Sequence, residues 1–250
     1  MTETITAAVL VIGDEILSGR TQDPNTGYIA KFLGALGIDL GEARVVPDIE
    51  DEIVAALNAL RSRYTYAFTT GGIGPTHDDI TADAVAKAFG VGIDYHPEAL
   101  AMMAARYKNP EDFNVMRKRM ARIPLTATLV KNSVSTAPGF HIGNVFVMAG
   151  VPMVMRAMLE DIAPGLRRGA AVHAETIEGK IPEGQIAAAL LRIQSDHKMV
   201  AIGSYPFYRD DGPGAQFVVR GRDAEAVEAA AQAIEKALKS EGIEPLRIRA

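Results

Sequence analysis

Three features of this 250-residue sequence predict an α/β domain with a mostly parallel sheet, followed by a small α+β appendage. Apolar, β-branched runs alternate with helix-period segments over roughly the first 90 residues, the signature of βαβ units. The first of these runs is continuously apolar, as a strand buried on both faces is. Past the stretch Pro164-Gly165-Leu166-Arg167-Arg168-Gly169 the pattern changes, which places one domain over residues 1–165 and the appendage over 166–250.

Residues 5–12 form the first apolar run, which stops at Gly13. Ile29, Phe32, Leu33 and Leu36 then recur at helical spacing, with Asn25 or Thr26 as the cap and Gly37 as the stop. Residues 38–46 read as a second strand, after which Asp48 opens a helix with Ile49, Ile53, Leu57 and Leu60 as its apolar face. Residues 64–70 read as a third strand that runs into Gly71 and Gly72. Helix is expected over 81–89 and again between Pro97 and Met120, where the basic residues of 117–122 read as a solvated face. Pro124, Pro138 and Gly139 break the next stretch into short strands or turns. Residues 145–148 are a buried strand, and Ala149-Gly150-Val151-Pro152 leads into a helix whose Met153, Met155 and Met158 read as core filler. The appendage reads βαββα. It has a strand near 172–177 and a helix with Ile186, Leu190 and Ile193 on one face. Strands at 200–203 and 217–220 follow, then a helix carrying Val227, Ile234 and Leu238.

Composition removes several classes of function. A net charge of −5 argues against general nucleic-acid binding, which needs a basic footprint, but not against a small anion held by backbone N–H groups. The absence of cysteine excludes disulfides, thiolate metal sites and a Cys nucleophile. The five histidines are scattered without metal-ligand spacing. No stretch approaches the roughly 18 apolar residues of a membrane span, and the first residues lack a basic leader. The expected compartment is therefore the cytoplasm.

The strongest chemical signal is Thr69-Thr70-Gly71-Gly72-Ile73-Gly74-Pro75-Thr76-His77-Asp78-Asp79, between a strand end and a helix start. Glycines let the backbone turn sharply and approach a ligand closely. A following helix, with Thr81 in its first turn, points its free N–H groups at the loop. This makes an anion site at the carboxyl end of a parallel strand. The loop is neither a Walker A loop nor G-x-G-x-x-G, and the plainer reading is a turn in which Asp78 or Asp79 caps a helix. Adjacent carboxylates beside a phosphate would repel it unless a hard cation such as Mg²⁺ lay between them. Asp48 is expected at the same edge, as a cation ligand, a cap, or both. The loop after the first strand supplies Gly13, Asp14, Glu15, Ser18 and Arg20, and a third loop supplies Gly150 and Pro152.

The three loops together resemble the family of MoaB, MogA and the amino-terminal domain of CinA. The matching segments are GDEILSG at 13–19, TTGGIGPTHDD at 69–79 with Thr81 and Asp83 beyond, and AGVP at 149–152. Glu183-Gly184-x-Ile186 and Gly203-Ser204-Tyr205-Pro206 are similar to CinA in particular, as are Pro75, Thr76 and the Asp78-Asp79 pair. The resemblance implies a three-layer fold, a homo-oligomer and a pocket for a pterin or nucleotide. It implies functional acidic residues at Asp48 and Asp79; these, with Glu15 and Asp78, are the carboxylates expected to hold the cation. It leaves three activities open: a metal-dependent pyrophosphatase acting on an ADP-ribose- or FAD-like dinucleotide, molybdopterin binding or adenylyl transfer, and a scaffold without chemistry. CinA proteins usually continue into an amidase domain beyond this sequence, so pyridine-nucleotide deamidation is not expected. Ala149 stands where the family often has proline.

Overall fold

The apolar run of the first strand is buried on both faces, and the first unit is layered around it. The computed structural model describes residues 4–210 and 212–248, and the chain divides into two units between Gly169 and Ala170.

In the first unit, β1 (Thr6–Ile12) leads through a single turn, α1 (Asp14–Leu17), into α2 (Asn25–Ala35). Then come β2 (Asp39–Val46), α3 (Glu50–Arg63), β3 (Tyr66–Thr70) and α4 (Thr81–Phe89). A short excursion follows: β4 (Ile93–Tyr95), α5 (Pro97–Ala104), α6 (Val115–Lys118) and β5 (Arg122–Pro124). The chain returns through β6 (Thr128–Val130), β7 (Gly139–Ile142), β8 (Val145–Met148) and α7 (Pro152–Ile162). The main sheet has the order β2-β1-β3-β8-β7-β6. Its first four strands are parallel, and the β8–β7 and β7–β6 pairs are antiparallel.

The pleat decides the layers. Ala7, Val9 and Val11 join Phe68, Phe146 and Met148 on one face, beneath Ile29 and Leu33 of α2 and Met155 and Met158 of α7. Ala8, Leu10 and Ile12 face the other way, toward Ile53, Leu57 and Leu60 of α3 and Val85 of α4. Each fully buried Leu or Ile contributes about 1.5–3 kcal/mol of transfer free energy. Because β2 and β3 flank β1 on opposite sides, the connections diverge at the carboxyl ends of β1 and β3, where open α/β sheets bind ligands.

Several expectations need correction. Ile49 is not part of the α3 face, since it precedes the helix and is 55% exposed. Met153 is 65% exposed while Met155 and Met158 are buried, because position 153 falls on the outer side of α7. The start of α2 is held by neither Asn25 nor Thr26; the Asp23 carboxylate accepts from both of their backbone N–H groups. The helix expected between Pro97 and Met120 is present, as two short helices with single 3₁₀ turns.

The second unit contains β9 (His173–Gly179), α8 (Glu183–Asp196), β10 (Val200–Arg209), β11 (Gly212–Gly221), α9 (Ala224–Ser240) and β12 (Leu246–Ile248). Its antiparallel sheet has the order β10-β11-β9-β12, so a short closing strand extends the expected βαββα. The hairpin is longer than its apolar residues suggest, because polar and aromatic residues continue the ladder to Arg209. Ile177, Ile186, Phe217, Val227, Ile234 and Leu238 form its core.

Candidate functional site

The carboxyl ends of β1, β2, β3 and β8 bring four loops to one edge of the sheet. Gly71 continues β3 as its N–H donates to the Met148 carbonyl (3.2 Å). Its φ of 102° is left-handed territory, and a Cβ there would collide with the Ile12 carbonyl oxygen. Gly72 has φ 66°, and a Cβ would strike the Thr81 hydroxyl. Thr81 closes the loop from below: its Oγ1 donates to the Gly71 carbonyl (3.0 Å) and its N–H to the Gly72 carbonyl (3.0 Å). Gly150 of the third loop packs against this turn; a Cβ on it would lie 3.3 Å from Gly71 Cα.

The result is a run of three successive N–H groups, on Gly72, Ile73 and Gly74, that have no acceptor among the described residues. Consecutive unpaired N–H groups form an anion-binding concavity. Gly71 is not part of it, because its N–H is spent on the sheet.

Carboxylates lie over the glycines of this edge. A Cβ on Gly13 would be 2.6 Å from Glu15 Oε2, one on Gly74 2.6 Å from Asp79 Oδ2, and one on Gly72 3.6 Å from Asp48 Oδ1. Asp48 does not cap α3. Its Oδ2 accepts from the Asp14 N–H instead (3.0 Å), which ties the β2 loop to the β1 loop. Burial pushes the Asp48 carboxyl above the usual carboxylate range; the Asp14 N–H opposes this, and the charges of Asp14, Glu15 and Asp78 add to it. Asp79 does not cap α4 either. Its carboxylate accepts from the Thr76 N–H (2.7 Å) and the Thr76 hydroxyl, folding residues 76–79 into a tight turn. Asp78 points outward, 3.9 Å from the exposed His77 ring.

A cleft of about 430 Å³ opens over these loops, lined by Glu15, Gly71, Gly72, Ile73, Gly74, Pro75, Asp79 and Gly150, with Val151 and Val154 beside them. Of the expected residues, Gly13, Ser18, Asp48, Thr70, Thr76, Asp78, Thr81 and Pro152 do not line it. Thr70 and Thr81 are buried, and Thr81 positions the loop from behind. Ser18 is exposed and donates to the Glu15 carbonyl (3.3 Å). Pro152 starts α7 behind the third loop. The donors around the cleft are hard carboxylate oxygens, the type that suits Mg²⁺. Among the described residues, no three His, Asp or Glu side chains converge closely enough to hold a metal ion by themselves.

Three contributors carry little sequence signal. Asn25 is buried, and its Nδ2 donates to the Gly150 carbonyl (2.8 Å), bracing the third loop from α2. A further loop, 132–138, brings Ser135, Ala137 and Pro138 to the cleft. It is organised by Asn132, whose Oδ1 accepts from the Val134 and Ser135 N–H groups and whose Nδ2 donates to the Ala137 carbonyl, and it holds Thr136 at φ 61°. The basic stretch 117–122 is not simply a solvated face. Arg122 makes a bidentate pair with Asp83 (2.9 and 2.6 Å), and Arg119 Nη2 donates to the Asp79 carbonyl (3.2 Å).

Comparison with known proteins bears on the family and the fold. Residues 8–168 match the family model described as "Probable molybdopterin binding domain", and residues 171–247 match "FAD synthase, middle domain". A protein of Archaeoglobus fulgidus is 32% identical over 231 residues, 92% of this chain and 96% of its own length. A CinA-like protein of Syntrophotalea carbinolica is 38% identical over 166 residues, 64% of this chain and 40% of the relative. Among solved structures, the protein CinA of Thermoplasma acidophilum superimposes with a TM-score of 0.61 at 34% identity, covering 65% of this chain and 98% of that one.

Proposed function

The chain belongs to the probable molybdopterin-binding domain family, and from that premise we propose that its cleft binds the pyrophosphate of an ADP-ribose- or FAD-like dinucleotide and hydrolyses it with the aid of a divalent cation. The observation that carries this reading is the pairing of an unsatisfied N–H run, on Gly72, Ile73 and Gly74, with carboxylates laid over the same glycine-lined edge. An N–H run alone would suit any anion. Carboxylates alone would repel one. Together they suit a phosphate that arrives with a cation. The match of residues 171–247 to a domain of FAD synthase adds support for a dinucleotide.

In this reading the N–H groups orient the phosphate and accept the charge that develops on its oxygens during attack. Glu15 and Asp79, which line the cleft, would hold the cation together with phosphate oxygens, and Asp48 at the same edge would be a further ligand. The cation, when bound, neutralises the phosphates and polarises the phosphorus toward water. Burial, and then the charges of Asp14, Glu15 and Asp78, already disfavour the Asp48 carboxylate, so a cation beside it would offset both. Asp79 keeps the turn at 76–79 closed through Thr76, which fixes the wall of the cleft.

Turnover of ADP-ribose and FAD with Mg²⁺ or Co²⁺, against EDTA, tests the proposal. Nucleoside monophosphate release that needs the cation is the expected result. The description of the matching family favours a second reading, in which the same anion site holds the phosphate of molybdopterin without hydrolysis. Purified protein with pterin fluorescence and no release of nucleotide would select it. Among the described residues no helix is long and apolar enough to cross a membrane. We carry the homo-oligomer forward as an expectation, which sedimentation would check.

A further inference from the structure

We propose that Arg119 is a second phosphate contact, which selects ligands carrying two linked phosphates over those carrying one. This rests on the reading of the Gly72–Gly74 loop as a phosphate site. Arg119 lies in a 3₁₀ turn just before β5, and its side chain lines a recess that it shares with Gly72, Ile73, Gly74, Asp79 and Met120. Its Nη2 donates to the Asp79 carbonyl (3.2 Å), which anchors the guanidinium to the rim of the loop. That is its one hydrogen bond among the described residues, out of five available N–H donors, and its Nε is buried without an acceptor.

The contrast with the neighbouring cation supports a ligand role. Arg122 faces the same recess, yet both of its forked donors are engaged by the Asp83 carboxylate at 2.9 and 2.6 Å. Arg119 has no carboxylate partner among the described residues, although Asp79 is at hand: that side chain is turned away, held by Thr76. A half-buried guanidinium without a counter-ion is electrostatically costly, and the cost is recovered when an anion binds. The planar fork suits phosphate oxygens, which accept two parallel N–H bonds. Gly72, Ile73 and Gly74 line the same recess, so the guanidinium stands beside the loop on which the first phosphate is proposed to sit.

The test compares binding of AMP and of α,β-methylene ADP, which resists hydrolysis, by titration calorimetry with Mg²⁺ present. Wild type, Arg119→Gln, Arg119→Ala and Arg119→Lys are measured. Arg119→Gln removes the charge but is two atoms too short to reach the Asp79 carbonyl, so thermal melting of each variant checks that the loop, which is also held by the Asp79–Thr76 turn, is kept. Wild type is expected to favour the diphosphate analogue by on the order of 10- to 100-fold, the range of a charge-assisted hydrogen bond. Arg119→Gln and Arg119→Ala should bring the ratio close to one by lowering affinity for the diphosphate analogue far more than for AMP, and Arg119→Lys should fall between. An unchanged ratio in Arg119→Gln would overturn the proposal, as would an equal loss for both ligands. Wild type that binds neither ligand would instead overturn the phosphate-site reading, and the assignment of Arg119 with it.

Discussion

Gly71 and Gly90 both have left-handed backbones, at φ 102° and φ 65°, but their surroundings differ. A Cβ on Gly90, which ends α4, would meet nothing within 4 Å, whereas one on Gly71 would run into the Ile12 carbonyl oxygen. Placing alanine in a left-handed conformation costs about 1–2 kcal/mol. A backbone collision in a packed site adds about 1–3 kcal/mol. Gly90→Ala should therefore lose about 1–2 kcal/mol and Gly71→Ala about 2–5 kcal/mol. For a unit of this size, residues 1–169, each kcal/mol lowers Tm by about 2–4 °C, giving about 2–8 °C and about 4–20 °C. Scanning calorimetry or far-UV circular dichroism reads the shift, since the chain has no tryptophan to report by fluorescence. Equal shifts for the two variants would refute the reasoning, because they would mean that Gly71 is required for its torsion alone and that β1 does not crowd the loop.

Two further predictions concern the loop and the second unit. Thr81→Val keeps the shape of a buried side chain but removes the donor to the Gly71 carbonyl; it should cost about 1–3 kcal/mol and weaken nucleotide binding, read by thermal melting and titration. Glu228 is held below its ordinary pKa of 4.5, first by its bonds to Arg247 and then by Gln232. Its contribution is thus present above pH 4.5 and lost as pH falls through the lowered folded-state value, so melting of Glu228→Gln should be lower than wild type at pH 7 and fall less steeply in acid.

Much of the fold is legible in the sequence because burial on both faces leaves an unbroken apolar run, as in β1, and because α4 has both a strong periodicity and a glycine stop at Gly90. The Gly71 loop is legible for a similar reason: torsions above zero and close backbone contacts leave glycine as the residue that fits. What the sequence conceals is pairing across distance. Asn25 reads as a cap, and only the fold brings it to the Gly150 carbonyl, 125 residues away. Asp48 reads as a helix cap, yet its partner is the N–H of Asp14 in another loop. Arg119 and Arg122 are indistinguishable as members of one basic stretch; Asp83 neutralises one and leaves the other facing the loop. The long hairpin of the second unit escapes periodicity because its outer half carries Tyr205, Tyr208 and Arg209 in place of an alternating apolar pattern.

The central claim is that this edge of the sheet uses carboxylates and a cation to break a phosphoanhydride. Hydrolysis of ADP-ribose by wild type and by Asp79→Asn, with Mg²⁺ and with EDTA, tests it most directly. Asparagine retains an oxygen for the Thr76 N–H, so the turn at 76–79 should survive the substitution. The account predicts cation-dependent release of AMP by wild type and its loss both in EDTA and in Asp79→Asn. Release that persists in EDTA or in the variant would contradict it, as would a wild-type protein that cleaves no dinucleotide with any divalent cation.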